Sequence, residues 1–380
     1  MGGPLEGVRV VELAAIGPAP YGVMLLADLG AEVVRVDRVA AARGAAGAEV
    51  SMLGLSRNRR SVAVDLKRPE GVEVVGRLAA TADVFVEGFR PGVVERLGLG
   101  PDVLHAAHPG LVYARVTGWG QEGPLAARAG HDLDYAAVAG ALHGIGRPDA
   151  PPPPPINYLA DFAGGGAFLA IGVLAALVER ASSGQGQVID VAMLDGAASL
   201  TAFLHGLRQL GAWSLERGSN LLDGGAPYYD TYRCADGRFL AVAALEPQFH
   251  AELCARLEQD PAEWPQHDRE AWPEQKRRLG ALFATRDRDD WVALFADSDA
   301  CVAPVLDLDE APEHDHNRAR GTFVEVFGAR QPAPAPRLSR TPGTIERPPP
   351  AFGEHTDEIL APLGYGVEER DRLRDAGIIA

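Results

Sequence analysis

Cysteine is scarce in this chain: three in 380 residues, Cys234, Cys254 and Cys301. Their odd number and wide separation argue against a disulfide framework and offer no metal-ligand spacing, so a reducing cytoplasm is the expected location. No uninterrupted apolar run reaches the roughly 18 residues that read as a bilayer-crossing helix, and no membrane span is expected. The opening segment, residues 1–7, lacks the charged-then-apolar layout of a secretory leader. The end, Gly377-Ile378-Ile379-Ala380, is not a peroxisomal address. Basic residues are outnumbered, 36 Lys and Arg against 52 Asp and Glu, leaving a net charge of −16. That balance speaks against nucleic acid, whose phosphates demand a basic surface. It does not exclude an anionic small ligand, because a local arginine group can override the global sign. Internal repeats are also missing.

What is present is a globular composition, 47% hydrophobic and 23% charged, in a chain long enough for two cores. Residues 8–13 form a β-rich run, followed by the loop Gly17-Pro18-Ala19-Pro20 and a helical stretch over 21–29. Gly30 stops that helix, and Glu32-Val33-Val34-Arg35-Val36 reads as the next strand. The alternation recurs through a strand at 61–64, a helix over 69–80, and strands at 83–86, 111–116 and 187–191. Strands alternating with helices point to a parallel α/β sheet, a Rossmann-like large domain. A buried apolar helix is read over 164–182 and a long helix over 194–210. After Gly218 the character changes. Residues 228–243 read as an antiparallel hairpin around Cys234-Ala235-Asp236-Gly237, within a smaller α+β domain over 220–325. A Pro- and Arg-rich connector over 331–350 and a helical tail complete the chain; residues 326–380 are expected to return to the large domain.

A Rossmann-like sheet raises the question of a nicotinamide cofactor, and Asp37 ends the second strand where a ribose-binding acid would sit. The phosphate loop is missing, however. After the first strand the glycines are Gly17 and Gly22, without the G-x-G-x-x-G that lets backbone approach a pyrophosphate. Arg38 better suits a nucleotide phosphate or an adenine face.

Two segments carry the chemistry. Gly130-His131-Asp132-Leu133-Asp134-Tyr135 and Asn157-Tyr158-Leu159-Ala160-Asp161-Phe162-Ala163-Gly164-Gly165-Gly166 place a histidine and a carboxylate 30 positions apart, each in a loop-like, Gly-flanked stretch. Brought to one cleft, His131 and Asp161 make a two-base proton shuttle, each able to act as acid or base. Such a pair suits stereochemical inversion at an acidic carbon. The plainer alternatives are a structural histidine at 131, an N-cap at Asp132, and Asp161 capping the helix that follows. Glu246 sits at a helix start, either as a surface acid favoured by the helix dipole or as an orienting carboxylate for His131. Backbone N–H groups near Asp161 and Gly164–Gly166 are positioned in sequence to hold an enolate oxygen. The basic residues Arg38, Arg57, Arg59, Arg60, Lys67, Arg90 and Arg96 gather in the first hundred positions, several just after strands, and as a group look like a phosphate-rich ligand site.

The motifs, in chain order, resemble the family III CoA-transferase superfamily and most closely its α-methylacyl-CoA racemase branch. They include residues 5–13, Asp28-Leu29-Gly30-Ala31-Glu32-Val33-Val34, Glu87-Gly88-Phe89-Arg90-Pro91-Gly92, Arg96-Leu97-Gly98, Thr117-Gly118-Trp119-Gly120 and residues 223–230. The resemblance covers nearly the whole length. In the transferase branch an aspartate matching Asp161 is the nucleophile and no histidine matches His131; in the racemase branch the Gly-His-Asp motif is present, as here. The resemblance therefore implies His131 and Asp161 as the proton-transfer pair, with Glu246 and Asp132 as supporting acids. It implies CoA contacts at Arg38, Val64, Asp65, Leu66, Lys67, Gly88, Phe89, Arg90 and Arg96, and along Gly130, His131, Asp132, Leu133, Asp134 and Tyr135. Asp134 departs from the racemases it most resembles, where an asparagine is usual. Further implications are a CoA-binding domain over 1–215, an acyl-CoA substrate with no separate cofactor, and an interlocked homodimer in which Glu246 of one chain meets His131 of the other. CoA transfer through Asp161, and acyl-CoA binding without catalysis, are the rival readings.

Overall fold

The computed structural model of the chain describes residues 2–43 and 54–380. Its contacts divide it into two compact units. Unit 1 comprises Met1–Ala139, Pro155–Leu200 and Gly321–Ala380, and unit 2 comprises Gly140–Pro154 and Thr201–Arg320.

Unit 1 is built on six parallel strands rich in β-branched residues: β1 (Arg9–Leu13), β2 (Glu32–Asp37), β3 (Arg59–Ala63), β4 (Val84–Glu87), β5 (Val112–Thr117) and β6 (Val188–Ala192). They lie in the order 3-2-1-4-5-6, the doubly wound arrangement in which the chain leaves the centre in both directions. Parallel neighbours need crossover segments. These are α1 (Pro18–Asp28), α2 (Val39–Arg43), α3 (Pro69–Ala79), α4 (Val93–Arg96), α5 (Pro101–Ala107) and α6 (Asp132–Val138), then a π-helical segment (Tyr158–Ala167) that runs into α7 (Phe168–Ser183). Helix α8 (Met193–Ser199) follows β6.

Both faces of the sheet are covered, which is why its strands read as near-continuous apolar runs. Phe85 and Tyr113 point to the face packed by Val74, Val75 and Leu78 of α3. Val84, Val86, Val112 and Ala114 point to the other, against Leu26 of α1 and Leu169 of α7. Each such aliphatic side chain, fully buried, contributes roughly 1.5–3 kcal/mol. The tail of the chain joins the first face. Ile378 and Ile379 are buried beside Val62 and Val64, and the Asp65 N–H donates to the Ile378 carbonyl at 2.8 Å.

Charge is also buried here. Glu12 and Arg59 are both without solvent exposure, 2.8 Å apart, and Arg59 donates further to the carbonyls of Pro20 and Leu55. Arg57 is engaged by Asp28 and by the Pro332 carbonyl. Buried ion pairs of this kind add little net stability but are costly to break singly, because the surviving charge stays desolvated.

Unit 2 carries α9 (Ala202–Gln209) and an antiparallel sheet of β7 (Tyr229–Arg233), β8 (Phe239–Ala243) and β9 (Val302–Pro304) in the order 7-8-9. Gly237, at φ 83°, closes the turn between β7 and β8. Helices α10 (Pro247–Arg256), α11 (Trp272–Phe283), α12 (Arg288–Phe295) and α13 (Asp315–Arg320) complete it. Tyr228, Tyr232, Leu240, Trp272, Phe283 and Trp291 form its core. The segment 140–154 is tied into this unit by Arg217, which donates to the carbonyls of His143, Arg147 and Ala150.

Four sequence expectations are corrected. The stretch 157–166 is not a loop: Tyr158–Ser183 is one continuous helix, π-helical over its first ten residues. At 26 residues it is long and apolar enough, by length and composition alone, to cross a membrane, because Asp161 and the glycines interrupt its hydropathy little. Leu169, Ala170, Val173 and Ala176 nevertheless pack into the sheet core, as a core helix does. It is not buried all round either, since Ile171 and Val178 are 58% and 73% exposed. The helix expected over 194–210 is two helices, α8 and α9, interrupted at Leu200 and Thr201. The connector expected from 331 begins within a hairpin of β10 (Phe323–Val326) and β11 (Ala329–Pro332).

Candidate functional site

From β1 the crossovers run toward β2 and β3; from β4 they run toward β5 and β6. The crevice outside the carboxyl ends of β1 and β4 is therefore the topological switch point, where open α/β sheets bind ligands. Two cavities lie there, both within unit 1. One, of about 630 Å³, is lined by residues that include Gly88, Arg90, Gly130, His131, Tyr135 and Asp161. The other, of about 700 Å³, is lined by Arg38, Val64, Asp65, Leu66 and Lys67 among others. Phe89, just after β4, walls both.

The first cavity is assembled by reciprocal capping. His131 has extended backbone and precedes α6; its N–H donates to Asp134 Oδ2 at 3.0 Å, the back-bond of a capping box. Asp134 is thus engaged by the histidine's backbone. Asp132, one residue on and buried, directs Oδ1 at the N–H groups of Ala160 and Asp161, 2.7 and 2.8 Å away. It caps the π segment from a neighbouring helix rather than its own. Asp161 is consequently neither a loop residue nor a helix cap. It projects from inside a π-helix, a conformation rare in general and frequent at functional sites.

The π segment is held by close backbone packing on both sides. A Cβ on Gly164 would sit 2.6 Å from the Ala197 nitrogen in α8, and one on Gly166 would sit 2.7 Å from the Pro18 carbonyl oxygen in α1. These glycines permit helix packing and are buried; they do not line the cavity. The expectation that their N–H groups face an enolate is therefore corrected.

The Asp161 carboxyl is pushed up from its ordinary range, chiefly by burial. The Asn157 amide, donating to Oδ2 at 3.3 Å, opposes that shift, nearby Asp132 adds to it, and His131 lowers it. Tyr135 is pushed up to about 12, first by burial and then by the negative charges of Asp161 and Asp134.

The second cavity differs. Arg38 and Lys67 line it and make no ion pair among the described residues. Asp65 Oδ1 accepts from the Lys67 N–H at 3.0 Å and shapes that turn. Asp37 borders the cavity, but its oxygens accept from Arg35 Nε and Ser61 Oγ, so it offers no free carboxylate to a ribose.

Other expected site residues fall elsewhere. Arg57 and Arg59 are buried in ion pairs, and Arg60 meets Glu358 at 2.9 Å. These three are scaffold cations, which corrects their reading as part of a phosphate site. Arg96 ends α4 and lines neither cavity; the same holds for Leu133, exposed on α6. Glu246 belongs to unit 2, as the residue preceding α10.

Two residues were not singled out from the sequence. Asn157 is the hydrogen-bond partner of Asp161. Gly17, at φ 72°, passes so close to Asp161 that a Cβ there would lie 3.0 Å from Oδ2. The only signal for Gly17 was its position in the first βα loop.

Comparison with known proteins fits this geometry. The model of CoA-transferase family III matches residues 5–356. The chain is 47% identical to the α-methylacyl-CoA racemase of Mus musculus over 378 residues, covering 99% of this chain and 97% of that protein. It is 45% identical, with the same coverage, to the racemase of that name from Homo sapiens. Among solved structures, a CAIB/BAIF family protein from Brucella suis superposes with a TM-score of 0.81 at 28% identity, covering 96% of this chain and all of that one.

Proposed function

Because the chain belongs to CoA-transferase family III, we propose that it is an isomerase, a racemase interconverting (R)- and (S)-2-methylacyl-CoA thioesters through an enolate. The observation that carries this is the pairing of His131 with Asp161 on the wall of one cavity. A thioester acidifies its α-carbon because the carbanion's charge spreads onto the carbonyl oxygen. Neutral His131 removes the α-proton from one face, and the C–H electron pair moves into the enolate. Protonated Asp161 then returns a proton to the opposite face, leaving imidazolium and carboxylate; the reverse reaction starts from that state. Burial that raises the Asp161 carboxyl supports this cycle, since Asp161 must hold a proton in alternate half-reactions.

CoA is part of the substrate and no separate cofactor is involved. Its nucleotide end occupies the second cavity, where Arg38 and Lys67 meet phosphate, and the thioester arm passes Phe89 to reach His131. The working form is a homodimer in which Glu246 of one chain approaches His131 of the other. The exposed apolar side chains Ile171 and Val178 on α7 favour burial against a second copy.

CoA transfer through Asp161 would make no use of His131. Incubation of the enzyme with either epimer in deuterated water, without an acceptor acid, separates the two readings. The proposal expects deuterium at the α-carbon and loss of optical purity. CoA passing to an added free carboxylate, with no α-exchange, supports the transferase instead.

A further inference from the structure

An enolate needs a donor at its oxygen, and the cavity contains a built one. Tyr135 is 6% exposed and lines the cavity together with His131 and Asp161. Its ring lies in a slot that only glycine backbone leaves open. A Cβ on Gly118 would fall 2.0 Å from Cζ and 2.3 Å from the hydroxyl oxygen, and one on Gly130 would fall 2.7 Å from Cε1. Trp119 closes the slot edge-on, its ring centre 4.8 Å away at 86°. The phenol is therefore fixed in direction, while its hydroxyl makes no hydrogen bond to the protein among the described residues. It is not sealed off, in contrast to the buried, unpartnered indole N–H of Trp119 in the same wall.

We infer that the Tyr135 hydroxyl donates a hydrogen bond to the substrate's thioester oxygen and stabilises the enolate as charge develops there. The inference rests on the racemase reading and gives the cavity the one element that a proton-transfer pair lacks. Gly164–Gly166 lie outside the cavity's lining, and the buried, unpartnered Trp119 N–H has no access to it. The upward push on the phenol keeps it a neutral donor across the working pH range. Its proton stays on oxygen throughout; the electron pair released from the α-carbon accumulates on the substrate oxygen and is returned when the second face is protonated. Because the bond strengthens only as charge develops, it acts mainly on kcat.

Tyr135→Phe keeps the ring in its slot and removes only the donor. The expected loss of α-deuterium exchange is on the order of 10²-fold in kcat for both epimers, with KM changed by less than about threefold. A second readout needs no turnover. A 2,2-dimethylacyl-CoA labelled with ¹³C at the thioester carbonyl has no α-proton, and its bound C=O stretch should lie lower in the wild type than in Tyr135→Phe. Unchanged exchange in the variant, or an unchanged stretch, overturns the inference. So does a shifted pH profile with an unchanged stretch, which would place Tyr135 in contact with Asp161 instead. A wild-type enzyme that exchanges no α-deuterium overturns the racemase reading, and the carbonyl band then decides the Tyr135 contact by itself.

Discussion

The two cavities at the carboxyl edge of the sheet share a wall, Phe89, and differ in how their charged groups are held. Around His131 and Asp161 the nearby carboxylates have protein partners: Asp134 takes the His131 N–H, Asp132 takes the Ala160 and Asp161 N–H groups, and Asp161 accepts from Asn157. In the second cavity Arg38 and Lys67 have no ion-pair partner among the described residues. That contrast matches the proposed roles, reaction in the first cavity and phosphate in the second. The same contrast sorts the cationic cluster of the first hundred residues. Arg57 and Arg59 are closed into pairs and build the scaffold, whereas Arg38 and Lys67 stay open on a cavity wall.

That division has consequences for mutants. The largest effects belong to the first cavity: His131→Ala and Asp161→Asn should each lower racemisation by at least about 10²- to 10⁴-fold in kcat, the usual worth of a positioned acid or base. Steady-state kinetics that find near-normal racemisation in His131→Ala would make that residue structural. In the second cavity Arg38→Ala should raise KM roughly 10- to 100-fold, as expected for a lost hydrogen bond to a charged group, with kcat nearly unchanged. A kcat defect with unaltered CoA affinity would erase the distinction between the cavities. The smallest effect sharpens the first. Asn157 stabilises the ionised form of Asp161, so Asn157→Ala should raise that carboxyl further. The acid limb of kcat/KM, for the epimer that Asp161 deprotonates, then moves to higher pH. A limb that moves to lower pH, or stays, shows that the amide does not stabilise the carboxylate.

Much of unit 1 was legible because its strands are short β-branched runs separated by helices, and Gly30 stops α1 where the sequence says it should. That His131 and Asp161 meet on one cavity wall was legible from residue types and their setting. The backbone that presents Asp161 was not, since a π-helix has no periodicity cue, and Gly164–Gly166 reads equally as a loop. Their actual role, letting α1 and α8 approach, depends on partners far away in sequence. The break between α8 and α9 was invisible for a similar reason: Leu200 and Thr201 carry no breaker. Arginine roles were the least legible, because whether a guanidinium meets Asp28 or a ligand is decided by tertiary structure.

In the proposed mechanism two proton carriers act on opposite faces of one carbon. The decisive experiment is α-deuterium exchange in His131→Ala and Asp161→Asn with each pure epimer in deuterated water. A single remaining base can remove and return a proton on its own side. Each variant should therefore retain slow exchange with one epimer without racemising it, and the two variants should favour opposite epimers. Residual exchange with the same epimer in both variants would contradict the opposed arrangement.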